Sequence, residues 1–190
     1  MPGHSDSPGF LSHVPFDVNR INAAAVYCSD GRFGEQVDDL LFNALKLPRY
    51  DRLAVPGGAA CLAGHFSAYR EEEGVAEQLR FLVSVHEVRY VVLIAHEGCA
   101  YYTDWLHVPP HQLEARQRED LGKAVRHVKR FGIDIEVAAF LARRRGERVA
   151  FERVRCEGRR LDIGRAGGVS PRMRSSAKWS PTGCRVGRTK

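Results

Sequence analysis

The chain has 190 residues, 44% of them hydrophobic, which is enough for one buried core and too apolar for a chain disordered throughout. Its formal charge is +6, but residues 156–190 hold nine Lys/Arg against two Asp/Glu, and residues 1–155 hold 20 against 21. The basic character therefore belongs to an appendage, which weakens the case for a domain built to bind nucleic acid and predicts no specific nucleic-acid partner.

Residues 1–20 read as a polar N-terminal arm with prolines at Pro2, Pro8 and Pro15. No secretory signal is legible in it. Ile21 to Tyr27 is apolar and ends at Cys28-Ser29-Asp30-Gly31-Arg32, a buried strand feeding a loop. Val37, Leu40, Leu41, Ala44 and Leu45 follow at i, i+3, i+4, i+7, i+8, which predicts an amphipathic helix over Gly34 to Lys46, stopped by Pro48. Arg52 to Val55 is a short strand running into the turn Pro56-Gly57-Gly58.

Val75 to Val88 is helical by pattern, with His86 on the apolar face. Tyr90 to Ala95 lacks alternation, as a strand covered on both sides does, and ends at His96-Glu97-Gly98-Cys99. No apolar run in the chain is longer than these six residues, far short of the roughly 20 a membrane span needs. Pro110 to Phe131 is a long helix with Leu113, Leu121, Ala124, Val125 and Val128 inward and Gly132 at its end. Ile133 to Leu141 and Val149 to Val154 read as two strands joined through Arg143-Arg144-Arg145-Gly146, a solvated hairpin turn.

Strand and helix alternate until that last pair. The predicted fold is α/β: a mainly parallel sheet of four to five strands, helices on both faces and an antiparallel edge strand. The predicted division is an arm at 1–20, an α/β domain at 21–155 and a basic tail at 156–190. The tail has no helix or strand period, so disorder is its expected state. Five cysteines do not suit a disulfide framework, and a reducing cytoplasm is the expected location.

Two loops carry the chemistry, because each follows a buried strand. In open α/β sheets the carboxyl ends of the strands converge on one edge, where ligands bind. If the first and third strands are neighbours, Cys28, His96 and Cys99 meet there. That is a three-ligand zinc set with a fourth position free for water or substrate. Asp30 can accept a hydrogen bond from water at such a metal, and Arg32 can hold its carboxylate in a bidentate pair. The alternative is Asp30 as the fourth ligand in a resting state.

Cys28-Ser29-Asp30-Gly31-Arg32 followed by His96-Glu97-Gly98-Cys99 resembles the β-class carbonic anhydrases, whose pattern is Cys-x-Asp-x-Arg and then His-x-x-Cys. The resemblance spans residues 21–154. It implies Zn2+ on Cys28, His96 and Cys99, a catalytic dyad of Asp30 and Arg32, and reversible hydration of carbon dioxide. It also implies a homodimer or higher homo-oligomer. Three places depart from the family pattern: Gly31 stands for Ser or Ala, Ala100 for Gly, and Val55-Pro56-Gly57-Gly58-Ala59 for a stretch close to Arg-Asn-Ala-Gly. The alternatives are a related enzyme on another small electrophile, carbonyl sulfide or carbon disulfide, and a non-catalytic zinc-stabilised protein.

Other residues have blander readings beside functional ones. Gly57 and Gly58 could line the substrate pocket or form a plain turn. Cys61 reads as a small core residue. Tyr101 and Tyr102 could border the cavity or pack in the core. His65, His86, His107, His111 and His127 are proton-relay candidates, most of them expected to be surface or packing residues.

Overall fold

The first strand, β1 (Ala23–Cys28), is built from small and β-branched side chains, and its first five residues are fully buried. The structure is a computed structural model and describes residues 9–155. The tail at 156–190, with its expected disorder, lies outside the described residues, as do residues 1–8. After β1 come α1 (Gly34–Asp39), continued by one wide turn over Leu40–Ala44, and β2 (Asp51–Val55). Then follow α2 (Tyr69–Val85), β3 (Tyr90–His96), α3 (Leu113–Val128), β4 (Glu136–Arg145) and β5 (Arg148–Arg153).

The sheet order is β2-β1-β3-β4-β5. β2, β1, β3 and β4 run parallel, and β5 returns antiparallel to β4. Side chains alternate across the sheet. Ala24, Val26, Val91 and Leu93 face α2 and α3, and Ala23, Ala25, Val92 and Ile94 face α1. Both faces are thus covered by helices, which explains why β1 and β3 are apolar without alternation. Among the described residues, no helix is long and apolar enough to cross a membrane.

The strand order decides where a ligand fits. The chain passes from β1 outward to β2 and then back across to β3 on the other side of β1. The switch point therefore lies between β1 and β3. These strands pair from Ala23↔Tyr90 to Val26↔Leu93. Beyond that point their carboxyl ends leave a crevice, with Cys28 on one side and His96 on the other.

Three local expectations change. Arg143-Arg144-Arg145 is the end of β4, not a turn, because pairing with β5 continues to Arg145↔Arg148. Arg143 there pairs with Glu114 and Glu152, tying α3 to the last two strands. His86 is exposed at the end of α2, outside the core, with Nδ1 2.9 Å from Asp51 Oδ2. α2 begins at Tyr69, earlier than its apolar pattern, through a polar first turn holding Glu71 and Glu72. Acidic side chains there complement the helix dipole.

Candidate metal centre

Cys28 ends β1, His96 ends β3, and Cys99 follows a turn in which Gly98 takes φ +62. A side chain at that φ is strained, so the left-handed turn between His96 and Cys99 favours glycine. A wide helical turn then begins, with the Leu106 N–H donating to the Tyr101 carbonyl. The sulfurs of Cys28 and Cys99, 71 residues apart in sequence, stand 3.8 Å from each other. A disulfide needs about 2.05 Å. Two sulfurs held at about 2.3 Å by one tetrahedral ion stand about 3.8 Å apart.

The imidazole completes the set. His96 Nδ1 lies 2.8 Å from the Glu97 carbonyl oxygen. A carbonyl only accepts, so Nδ1 carries the proton and Nε2 presents a lone pair. That Nε2 is buried without a hydrogen-bond partner. A buried ring nitrogen left this way is costly unless something binds it. The ligand atoms of Cys28, His96 and Cys99 all lie within 4.8 Å of one another. The donor set therefore fits a zinc ion.

The two thiols behave as a pair. Their contact, then the neighbouring His96, lowers Cys28. The same contact, then burial, raises Cys99. One proton leaves easily, and the second stays until a cation compensates two adjacent negative charges. Cys61 is separate, with its thiol donating to the Pro56 carbonyl at 3.1 Å and burial pushing it up to about 11.

Asp30 stands beside this cluster and is not part of it. Arg32 Nε donates to Asp30 Oδ1 at 2.9 Å, and Arg32 Nη2 to Oδ2 at 2.5 Å. The Arg32 backbone N–H adds a third bond to Oδ1 at 3.1 Å. Hydrogen bonding to Arg32 holds the Asp30 carboxyl at about 2. With both oxygens engaged, Asp30 is a neighbour of the donor set.

Above the donor set is a cavity of about 520 Å3, whose lining includes Asp30, Pro56, Gly57, Ala100, Tyr101 and Trp105. Gly57 and Gly58 serve different ends. Gly57 lines the cavity, and a Cβ there would meet the Tyr101 ring at 2.4 Å. Gly58 instead packs on β1, where a Cβ would sit 2.6 Å from the Cys28 backbone nitrogen. The tyrosine pair also divides: Tyr101 faces the cavity, while Tyr102 is 1% exposed in the core.

None of the histidine relay candidates lines this cavity. His65 is buried against Asp120, and His127 Nδ1 donates to the Leu62 carbonyl at 3.2 Å. Sequence reasoning missed Phe33, whose ring centroid lies 4.3 Å from that of His96. It also missed Trp105 on the cavity wall and Gln117 behind β3. The position of Phe33, one residue past Arg32 in the loop, was the available signal for the first.

The model of the family described as "Putative carbonic anhydrase" matches residues 18–151. Among solved structures the chain is similar to β-carbonic anhydrase isoform I of the protozoan Trichomonas vaginalis. Identity is 16% and the TM-score 0.47, over 76% of this chain and 87% of that one. It is also similar to the β-carbonic anhydrase CafA of the fungal pathogen Aspergillus fumigatus. Identity there is 12% and the TM-score 0.43, over 70% of this chain and 76% of that one. No curated protein sequence matches.

Proposed function

Because the chain belongs to the family described as "Putative carbonic anhydrase", we propose that it is a divergent member of the β class and catalyses the zinc-dependent, reversible hydration of carbon dioxide to bicarbonate and a proton. The observation that carries this reading is the unpartnered His96 Nε2 beside two touching thiols, next to a locked Asp30–Arg32 pair. Cys28, His96 and Cys99 hold the metal, and zinc bound there supplies Lewis acidity that activates water, moderated by two thiolates.

The remaining work falls to the chain. Asp30 stays ionised throughout the neutral range, accepts a hydrogen bond from the attacking water and orients it. Arg32 keeps that carboxylate from rotating. Pro56, Ala100, Tyr101 and Trp105 give the small apolar substrate a site where bulk water competes poorly. Gly57 leaves room for the Tyr101 ring that forms part of this wall.

The location we propose is the cytoplasm, supported by Cys28, Cys61 and Cys99 all being free thiols. The assembly we propose is a homodimer or larger homo-oligomer. It is supported by an arm whose Phe10, Leu11, Val14, Phe16 and Val18 are all more than three-quarters exposed.

Stopped-flow hydration by the zinc-loaded protein tests the activity. A rate well above buffer is expected, and no rate with one zinc per chain contradicts the reading in favour of a zinc-stabilised, non-catalytic protein. The apolar lining equally suits carbonyl sulfide or carbon disulfide. Sulfide release faster than carbon dioxide turnover would move the assignment to a sulfur substrate.

A further inference from the structure

Helix α3 carries two polar side chains that its apolar role does not account for. Its buried positions are Gln117, Asp120, Leu121, Ala124, Val125 and Val128, which form one helical face. Gln117 is 1% exposed and Asp120 0%. An amide and a carboxylate so far from water cost stability unless they are partnered. The partner of Gln117 lies on the strand end that bears His96, and those of Asp120 are His65 and Arg116.

Gln117 Nε2 donates to the His96 carbonyl oxygen at 2.6 Å. β1 pairs with β3 only as far as Val26↔Leu93. Gln117 thus supplies a donor where the sheet begins to open. Asp120, one turn further along, neighbours the Tyr102 hydroxyl, which burial and then this carboxylate hold protonated. The Tyr102 backbone N–H in turn donates to the Cys99 carbonyl at 3.0 Å.

Asp120 is itself held. Arg116 Nε donates to its Oδ2 at 3.2 Å, and His65 Nε2 stands 2.9 Å from the same oxygen. Arg116 Nη2 also donates to His65 Nδ1 at 2.9 Å, which makes that nitrogen an acceptor and leaves the ring proton on Nε2. Glu72 closes the chain by accepting the His65 backbone N–H at 2.6 Å. Polar contacts therefore run from α2 through His65 to α3, and from α3 to the strand end that bears His96.

We propose that Gln117 is a positioning residue for the metal centre, fixing the backbone at His96 and so the direction of its Nε2. The inference rests on the zinc reading above. Gln117 touches neither metal nor substrate. The Glu97 carbonyl and the Phe33 ring fix the imidazole about its own bonds, and Gln117 fixes the strand end that carries it.

The test is Gln117→Met, which keeps the volume and removes the donor. The expected variant folds and binds zinc, with affinity in chelator competition lowered about 10- to 100-fold, as for other partners of metal-ligating groups. With Co2+ in place of zinc, its d–d and thiolate charge-transfer bands shift as the ligand geometry relaxes. Val128→Ala, on the same helix face but far from His96, provides the contrast. It lowers stability and leaves affinity and the cobalt spectrum unchanged.

Gln117→His, which can place a ring donor near the same carbonyl, is expected to recover part of the lost affinity. If Gln117→Met does not fold, Gln117→Asn replaces it, because the shorter amide falls out of reach; the expectation is the same. Wild-type affinity and spectrum in a folded donor-less variant overturn the proposal. A wild-type chain that binds no zinc overturns the zinc reading itself, and the wild-type arm shows that separately.

Discussion

In the loop after β1, Asp30 and Arg32 hold each other across one intervening residue, with Arg32 largely in solvent. On the inward face of α3, Gln117 and Asp120 are withdrawn from water and reach segments distant in sequence. The first device is local and solvated, so it orients a carboxylate and adds little to folding. The second is buried, so its partners are obligatory: once a buried polar group loses its partner, the desolvation cost remains. One centre thus combines a loop that sets chemistry with a helix face that sets geometry, and variants should separate the two.

The largest effect should come from the donor set that both devices serve. Cys99→Ala should abolish stoichiometric zinc, measured by metal analysis after dialysis, because two remaining ligands do not make a tight site. Full retention would show that the centre does not depend on Cys99.

Next is the loop. Asp30→Ala should keep one zinc per chain and lose about 100-fold or more in turnover. Thermal stability should hardly change. A stability loss with unchanged turnover would reverse the roles assigned to the two regions. The sign of the pH effect follows from the lowered Asp30 carboxyl. Pairing with Arg32 is fully present above the ordinary carboxylate range and is lost as pH falls through about 2. An NMR titration of the Asp30 carboxyl carbon should therefore show its midpoint near 2 and no midpoint near 4, where an ordinary aspartate titrates (about 3.9).

A smaller effect is expected where the Pro56-Gly57-Gly58 turn meets β1. Gly58→Ala places a Cβ against the Cys28 and Tyr27 backbone at φ +54. Overpacking alone should cost about 1–3 kcal/mol in denaturant unfolding. It should also weaken zinc binding by displacing Cys28. The smallest effect is expected from removing residues 158–190, which should leave zinc stoichiometry unchanged. Loss of zinc on truncation would make the tail part of the domain.

How far the sequence revealed each region follows from the same contrast. Cys28, Asp30 and Arg32 lie within five residues, and His96 and Cys99 within four, so both motifs stand out in a linear reading. The alternation of strands and helices placed both at one sheet edge, and the pairing of β1 with β3 brings them together. Gln117 and Asp120 carried no such signal. Gln117 lies between Arg116 and Arg118 and Asp120 follows Glu119, so both read as solvent-facing, and their partners at His96 and His65 are distant in sequence. Arg143 to Arg145 misled for a related reason: their charge suggested a turn, but cross-strand pairing and Glu152 hold them in β4. The apolar face of α2 read His86 as a core or interface residue, and the core is excluded because the helix ends there and the exposed ring turns to Asp51.

The central claim is that the crevice between β1 and β3 holds one zinc through two thiolates and one imidazole. X-ray absorption at the zinc edge of the loaded protein tests it directly. The account predicts two sulfurs at about 2.3 Å and one nitrogen at about 2.0–2.1 Å, with the remaining position taken by oxygen. A first shell of nitrogen and oxygen only, or a single sulfur, would contradict it.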